Sequence, residues 1–423
     1  MNVADSELIS GMLIEEGLKP SENILNADII FVNTCAIREH AEDKVHSRLG
    51  FYNKLKKDRP EIIIGVLGCM AQNLKESILQ NKTYVDIVLG PDSYRKIIDL
   101  IQNRKKEKLR SIDTKLSRYE VYSDILPSRN EGINAWIPIM RGCDKFCTFC
   151  IVPFTRGRER SRAIDGIIGE VENAVSKGFV EITLLGQNVN SYRTPEGNFS
   201  ELLAKVSDVK GVKRVRYTSP HPQDMTEDVL EVMGDRDNIC NYIHLPLQSG
   251  SDRILSRMNR TYTKKEFLNL VDRIHKYMPD CALSTDIIVG FPGESDSDFQ
   301  DTMSVVNTVN FNFSFMFKYS SRPGTKAAEY DSQINEIVKQ HRLEELISRQ
   351  REITLDVNRK MIGKSLQVIV EKESKKSRNQ WSGRTDGNTW VIFDKMNFKP
   401  KDLVTLRIDD AQGVTLFGTP ITS

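Results

Sequence analysis

The 423-residue chain has no run of about eighteen apolar residues, so no segment is expected to cross a membrane. It also has no charged start followed by an apolar core, which is the pattern of a secretory signal. Only seven cysteines are spread over the chain, too few for a disulfide framework. The net charge is only +2, so any nucleic-acid surface must be local. These absences predict a cytoplasmic protein whose cysteines serve metal or redox chemistry.

The composition is otherwise that of a soluble globular protein, with 39% hydrophobic and 28% charged residues. Within residues 1–102, short apolar runs alternate with helical patterns, beginning with a helix near Asp5. This alternation predicts a doubly wound α/β domain. Because such a domain normally begins with a strand, we expect its first strand to lie upstream of Met1. The predicted strands are Ile29–Val32, Ile62–Val66 and Val85–Val88.

Three cysteines lie close together in the middle of the chain, at Cys143, Cys147 and Cys150. Their C-x3-C-x2-C spacing is typical of a 4Fe–4S cluster held by three thiolates, which leaves one iron open to a substrate or cofactor. Phe149 precedes the last cysteine, where its ring could pack on the cluster or on a bound adenine. Zinc or structural thiols are the alternatives, although a zinc site usually has a second pair of ligands.

Two further cysteines follow predicted strands of the first domain. Cys35 lies on the loop that follows the first predicted strand, and Cys69 on the loop that follows the second. The carboxyl ends of neighbouring parallel strands meet at one edge of a sheet, so these two thiols are expected to converge. The alternative is that each is a small buried hydrophobic residue.

Residues 103–131 combine a charge run with a turn-rich end and predict a linker. From 132 to 360, strands alternate again with helices, which predicts a full or partial α/β barrel. The cysteine loop follows the first barrel strand, and such barrels place their sites on these loops. Three later loops, at 186–191, 244–251 and 288–294, are expected to wall a cofactor pocket at the same mouth.

Four arginines alternate after the cysteine loop, at Arg156, Arg158, Arg160 and Arg162. If this piece is extended, all four point the same way and form a cationic stripe suited to phosphate. We expect at least one of the four to contact phosphate or substrate, with Arg156 and Arg158 as the candidate RNA contacts. The alternative is pairing with acidic side chains of the same chain.

The tail, residues 361–423, changes to short strands and turns, which predicts a small antiparallel β-barrel of the OB-like kind. Cations and aromatic residues are mixed in it, as on RNA-binding surfaces. An inert structural cap is the alternative. The candidate RNA contacts are Lys375, Lys376, Arg378, Trp381 and Arg384.

The run from Arg141 to Gly157 resembles the radical S-adenosylmethionine (SAM) methylthiotransferases. An α/β domain in front and a TRAM-type β-barrel behind are the layout of that family, so the resemblance covers nearly the whole chain. Three segments look like its tRNA branch: Met1–Glu7, Ile243–Ser251 and Met258–Thr263.

The resemblance implies an enzyme that cleaves SAM at a 4Fe–4S cluster and methylthiolates carbon 2 of N6-isopentenyladenosine at position 37 of tRNA. A second 4Fe–4S cluster would supply sulfur through three cysteines, of which Cys35 and Cys69 are present and the third is expected just before Met1. The implied partners are the tRNA anticodon stem-loop and an external electron donor of the flavodoxin or ferredoxin type, with the protein a monomer. The SAM-pocket residues, with Phe149, are expected to be Gln187, Asn188, His244, Gln248, Ser249, Arg260 and Asp286.

Two other functions stay open at this point. One keeps the chemistry and changes the substrate to an aspartate of a ribosomal protein. The other is a non-catalytic iron–sulfur protein that binds RNA. The cationic and aromatic segment Gln380–Val391 favours RNA as the substrate. Cys240 and Cys281 match no ligand spacing and are expected in the core.

Overall fold

The computed structural model describes the backbone of residues 1–34 and 39–421, and the side chains of all of these except residues 39–43. Three units follow one another along the chain: an α/β domain, an open α/β barrel and a small closed β-barrel. None of the described helices is long and apolar enough to span a lipid bilayer. The predicted fold class is therefore confirmed.

The amino-terminal domain is a four-stranded parallel sheet in the order β1-β2-β3-β4, with helices on both faces. Alternate residues of β1 pack on opposite faces: Ile30 and Val32 join one apolar cluster, Ile29 and Phe31 the other. The elements are α1 (Asn2–Glu15), β1 (Ile29–Thr34), α2 (Glu39–Asp58), β2 (Ile63–Gly68), α3 (Cys69–Leu74), α4 (Glu76–Asn81), β3 (Ile87–Leu89), α5 (Ile97–Glu107) and β4 (Ser111–Asp113).

The first domain extends into the segment predicted as a linker. The helix α5 continues to Glu107, and β4 then pairs with β3 as the fourth strand. The charge run serves this packing, because Arg104 pairs with the buried Asp86 at 2.8 Å and Arg110 donates to the carbonyl of Val85. The strand β4 was not predicted because it has only three residues and follows a run rich in Lys and Arg. A strand this short has too few apolar positions to show a periodic pattern.

The central unit is a partial barrel of six parallel strands, in two sheets ordered β5-β8-β11 and β12-β13-β14. A parallel bridge joins Val215 of β11 to Ile239, which lies just before β12, and connects the two sheets. The elements are β5 (Asn134–Pro138), β6 (Met140–Arg141), α6 (Val152–Arg156), β7 (Arg160–Ser161), α7 (Ile164–Ser176), β8 (Glu181–Leu185), β9 (Arg193–Thr194), β10 (Gly197–Asn198), α8 (Phe199–Asp208), β11 (Arg214–Tyr217), α9 (Glu227–Gly234), β12 (Tyr242–His244), α10 (Asp252–Arg257), α11 (Lys264–Tyr277), β13 (Ala282–Val289), α12 (Asp296–Val309), β14 (Phe313–Lys318) and α13 (Glu336–Arg359).

The carboxyl-terminal unit is a closed barrel in the order β15-β16-β17-β19-β18. Four of its pairings are antiparallel, as in the predicted antiparallel barrel, and one pair, β17 and β19, runs parallel. A closed ring with an odd number of strands cannot alternate direction throughout, so one parallel pair is unavoidable. The strands are β15 (Ser365–Glu373), β16 (Gln380–Thr385), β17 (Trp390–Asp394), β18 (Leu403–Gln412) and β19 (Thr415–Pro420).

Two buried arginines at the start of β11 attach the closed barrel to the open one. Arg214 donates to the carbonyls of Arg384 and Gln367, and Arg216 donates to those of Thr385 and Asp386. Glu181, at the start of β8, accepts from Arg216 and from Arg384 at 3.0 Å each. The small barrel therefore covers the amino-terminal ends of these strands, the end that usually serves stability in α/β barrels.

We predict that Arg216→Ala lowers the free energy of unfolding by about 3–5 kcal/mol, because it leaves the buried Glu181 carboxylate and two carbonyls short of partners. Urea unfolding, with proteolysis after α13 as a second probe, measures the loss. Arg407→Ala is the matched control, since its side chain is 62% exposed and its ion pair with Asp409 should contribute below about 1 kcal/mol. Equal stability of the two variants would contradict this role.

Candidate active site at the barrel mouth

The loop that carries Cys143, Cys147 and Cys150 lies between β6 and α6, after the first barrel strand. It begins at Gly142, whose φ is +80° and whose added Cβ would lie 1.9 Å from the carbonyl oxygen of Arg158. Only glycine fits this close approach. The Gly142 N–H also donates to Gln187 Oε1 at 2.6 Å, which ties the loop to the end of β8.

One cavity of about 330 Å³ collects thiols from two domains. The three barrel cysteines line it, and so does Cys69, at the start of α3. A second cavity, of about 490 Å³, runs along α1 and includes none of the cysteines. The thiols of both domains therefore meet at the cavity between the barrel mouth and the amino-terminal domain.

The three barrel thiols suit an iron–sulfur cluster better than a single ion. Burial raises the pKa of Cys143 to about 11 and that of Cys150 to about 12, so these thiols need bound cations to ionise. A structural zinc site usually has four protein ligands, whereas this loop supplies three thiolates. A 4Fe–4S cluster held by three cysteines needs only one thiolate at each of three separate iron atoms. The chemistry of the donor set thus fits a 4Fe–4S cluster.

Seven of the eight residues predicted for the SAM pocket line this cavity, at the ends of several different strands. Ser249 lies behind the wall, fully buried, where its hydroxyl accepts from the Ser251 N–H at 3.2 Å. The parallel strands bring the lining residues together because the loops after them share one end of the barrel. The seven are Phe149, Gln187, Asn188, His244, Gln248, Arg260 and Asp286.

A polar chain runs down the inner wall of the barrel. His244 Nε2 lies 3.2 Å from Asp286 Oδ2, and its Nδ1 lies 2.8 Å from Ser284 Oγ. Ser284 Oγ is also 2.6 Å from the Tyr242 hydroxyl. Nearer the cysteines, Arg260 Nη1 donates to Cys147 Sγ at 3.4 Å. The wall therefore holds fixed hydrogen-bonding groups at several depths.

A buried carboxylate joins the two α/β domains beside the cavity. Asp5 on α1 is fully buried and accepts from Arg141 Nη2 at 2.7 Å and from Arg156 Nη2 at 2.6 Å. Burial alone would raise the pKa of Asp5, but the charges of Arg156 and Arg141 outweigh it and hold that pKa below its usual value. Asp5 thus stays ionised as the acidic centre of the interface.

Arg156 also contacts the thiol of the first domain, since its Nε donates to Cys69 Sγ at 3.2 Å. Its Nη1 is buried and has no hydrogen-bond partner among the described residues, so this N–H group can accommodate a further acceptor beside Cys69. A sulfide or thiolate of a bound cluster would fit there. Cys35 lies outside the described residues; Thr34, just before it, pairs with Gly68, just before Cys69.

The prediction that the four arginines point the same way and form a cationic stripe is wrong. The helix α6 ends at Arg156 and Gly157 turns the chain, so the segment is not one extended strand. Arg156, Arg160 and Arg162 are buried and paired with Asp5, Asp92 and Glu170. Arg158 is 67% exposed and pairs with Asp144. The alternative, that the arginines pair with acidic side chains of the same chain, is correct for all four of them.

The candidate RNA contacts of the small barrel differ in exposure. Lys375, Lys376 and Arg378 are exposed on the β15–β16 connection. Trp381 is half-buried and donates to the carbonyl of Phe398. Arg384 is committed to the domain contact, because it pairs with Glu181 and with Glu371. Only the first three are presented freely to solvent in this arrangement.

Several cavity residues were missed by sequence analysis, notably Ser219, Pro220 and His221 after β11. The rule that sites follow barrel strands applies to this loop as well and could have found it. Burial, then the nearby charges of Arg260 and Lys145, lower the pKa of His221 to about 2. This imidazole is therefore neutral at physiological pH.

A partial α/β barrel with three cysteines on the loop after its first strand defines a radical SAM protein, and the Radical SAM superfamily profile matches residues 137–306. Residues 1–90 match the family described as Uncharacterized protein family UPF0004, and residues 359–421 match the TRAM domain. Full-length similarity then shows that the chain belongs to the tRNA-2-methylthio-N(6)-dimethylallyladenosine synthase family.

Relatives with that name include a protein of Christiangramia forsetii, 45% identical over 100% of this chain and 92% of its own length. A Porphyromonas gingivalis protein is 45% identical over 99% of this chain and 92% of its own. A Bacteroides thetaiotaomicron protein is 44% identical over 100% and 94%.

Solved structures share the fold at low identity. The radical S-adenosylmethionine methyltransferase TsrM from Kitasatospora setae, with cobalamin and a 4Fe-4S cluster bound, is 12% identical with a TM-score of 0.59, over 77% of this chain and 73% of that one. The cobalamin-dependent S-adenosylmethionine radical enzyme OxsB is 12% identical with a TM-score of 0.54, over 81% and 53%.

We predict that Gly142→Ala displaces the cysteine loop, since the methyl group meets backbone, and costs about 1–3 kcal/mol of local strain. Iron and sulfide bound after reconstitution should fall clearly below wild type. Gly166→Ala on α7 is the matched control, because nothing lies within 4 Å of its added Cβ. Full iron content in Gly142→Ala would refute the tight approach.

Asp5→Asn should destabilise the protein by about 3–5 kcal/mol at pH 7, because two buried guanidiniums lose their counter-charge. The folded-state pKa of Asp5 lies below its usual value, so its stabilisation is complete above about pH 4 and is lost as pH falls through the folded pKa. Urea midpoints of wild type and variant should therefore converge in acid. Asp28→Asn, whose carboxylate is 78% exposed, is the control and should change little.

Proposed function

We propose that this protein methylthiolates carbon 2 of N6-isopentenyladenosine in tRNA, with SAM and two 4Fe–4S clusters as cofactors. One observation carries the proposal: thiols of the barrel and of the amino-terminal domain line the same cavity. The full-length relatives are named for this tRNA product. Those names favour tRNA over a ribosomal-protein aspartate and over a non-catalytic RNA-binding role.

Cys143, Cys147 and Cys150 would hold the first cluster, which when bound supplies the electron that cleaves SAM. Arg260 donates to Cys147 Sγ, so it would orient that thiolate and offset part of its charge. Gln187 fixes the start of the loop through Gly142. A loop held at its start and at its middle cysteine keeps its three thiolates in one arrangement.

The remaining cavity residues position the reactants. The hydrogen on carbon 2 of adenine is barely acidic, so a side-chain base could not remove it. None of the cavity residues is therefore needed as a general base for the removal of this hydrogen. Gln248, Asn188 and the His244–Asp286 pair offer polar groups for the amino-acid part and ribose of SAM. The neutral His221 adds no charge to the cavity. Their work is to orient SAM and the adenosine and to exclude water.

Cys69 and Cys35 would hold the second cluster, the source of sulfur. The guanidinium of Arg156 donates to Cys69 Sγ and is itself held by Asp5. It would stabilise negative charge on that thiolate and keep it facing the cavity.

The proposed RNA partner is the anticodon stem-loop, which carries the target adenosine. Exposed Lys375, Lys376 and Arg378 are suited to its phosphates, and exposed Arg158 lies by the cysteine loop. A small electron-transfer protein of the flavodoxin or ferredoxin type would supply electrons. The protein would act as a monomer in the cytoplasm, where tRNA is modified.

The decisive experiment is mass spectrometry of adenosine 37 in tRNA from a strain lacking the gene, with and without complementation. Wild type should restore the methylthio group, and Cys147→Ala should not. Cys281→Ala is the matched control, since that cysteine is buried away from the cavity. Unchanged methylthiolation in the deletion strain would overturn the proposal, as would a purified, reduced enzyme that forms no 5′-deoxyadenosine from SAM.

A further inference from the structure

The strand β14 presents three phenylalanines to solvent: Phe313, Phe315 and Phe317, which are 41%, 42% and 37% exposed. They alternate along the strand, so they share one face; together they are called the phenylalanine ladder. In the described chain β14 is the last strand of its sheet, with no strand on its far side. A row of large apolar side chains at a sheet edge marks a contact surface.

The ladder faces the inside of the barrel. In the parallel pairing with β13, Phe313 is opposite Ser284 and Phe315 is opposite Asp286, and paired residues share a face. Both partners belong to the polar inner wall that includes His244. The His244 ring lies 5.8 Å from the Phe315 ring, edge to face. The ladder therefore continues the wall of the active-site cavity to the open side of the barrel.

The two ends of the ladder meet different parts of the molecule. Phe317 pairs with Ile288, which packs in the same apolar cluster as Phe149 of the cysteine loop. At the other end, β13 begins at Ala282, beside Gly387 of the small barrel. The ladder thus begins two positions along β13 from the contact with the carboxyl-terminal domain and runs towards the barrel mouth.

We propose that the phenylalanine ladder is a stacking platform for unstacked loop bases next to the target adenosine of the RNA. This rests on the proposed function and deepens it. A base beside the target must leave its neighbours' stack when the target enters the cavity, and an aromatic face replaces that stack. The rings carry no charge, so they suit base faces, while the exposed lysines of the small barrel suit phosphates.

The test uses the full-length reconstituted enzyme and an isopentenylated anticodon stem-loop. Phe313→Ala and Phe315→Ala should each weaken RNA binding by about 5- to 100-fold, the range for loss of one stacked base. KM for the stem-loop should rise more than kcat falls. A stem-loop with 2-aminopurine beside the target should be quenched on wild type and brighter on the variants, a signal that a merely structural role would not move.

Phe51→Ala is the matched control, because that residue is 47% exposed on α2 and lines neither cavity. Phe315→Tyr keeps the ring and should restore binding, which separates stacking from a folding defect. Variants that bind RNA and quench 2-aminopurine like wild type overturn the platform. So does a defect confined to reduction by a protein donor and absent with dithionite. Absence of product with wild type would instead count against the proposed function.

Discussion

A carboxylate buried between two guanidiniums joins the halves of the active site. Asp5 belongs to the first domain, while Arg141 and Arg156 flank the cysteine loop of the barrel. The same Arg156 touches Cys69, so the pair sets both the domain contact and the direction of that thiol. A buried charge without its partners is strongly unfavourable. The ion pairs of Asp5 therefore hold the two thiol-bearing domains in one relative position.

The barrel is bound differently at its two ends. At the amino-terminal ends of the strands, Arg214 and Arg216 are satisfied by carbonyls of the small barrel and fix its position. At the carboxyl-terminal ends, the wall is made of loops with polar groups that converge on a cavity. The division follows the general rule for α/β barrels, in which one end carries stability and the other carries chemistry. The open side at β14 connects the two.

Sequence patterns predicted the elements that depend on local spacing. The strands of the first domain and the position of the cysteine loop follow from apolar runs and from Cys143, Cys147 and Cys150. The loops after strands converge because parallel strands share a direction, so the pocket could be anticipated without distances. The patterns failed for β4, which has only three residues, for β16, whose six residues are mostly polar, and for the arginines after α6, where Gly157 breaks the assumed extended strand.

The sequence by itself determined the order of the three domains and the family, and it predicted a metal site at the cysteine loop. Only the tertiary structure decided which acid meets which arginine: Asp5 and Arg156 are 151 positions apart, and no local period links them. It also decided that Ser249 lies behind the wall, that Arg384 serves the domain contact and that the phenylalanines of β14 face inward. Each of these features depends on contacts between residues that are far apart in the chain. Local sequence patterns report the spacing of residues along the chain, but they do not report which distant residues meet after folding.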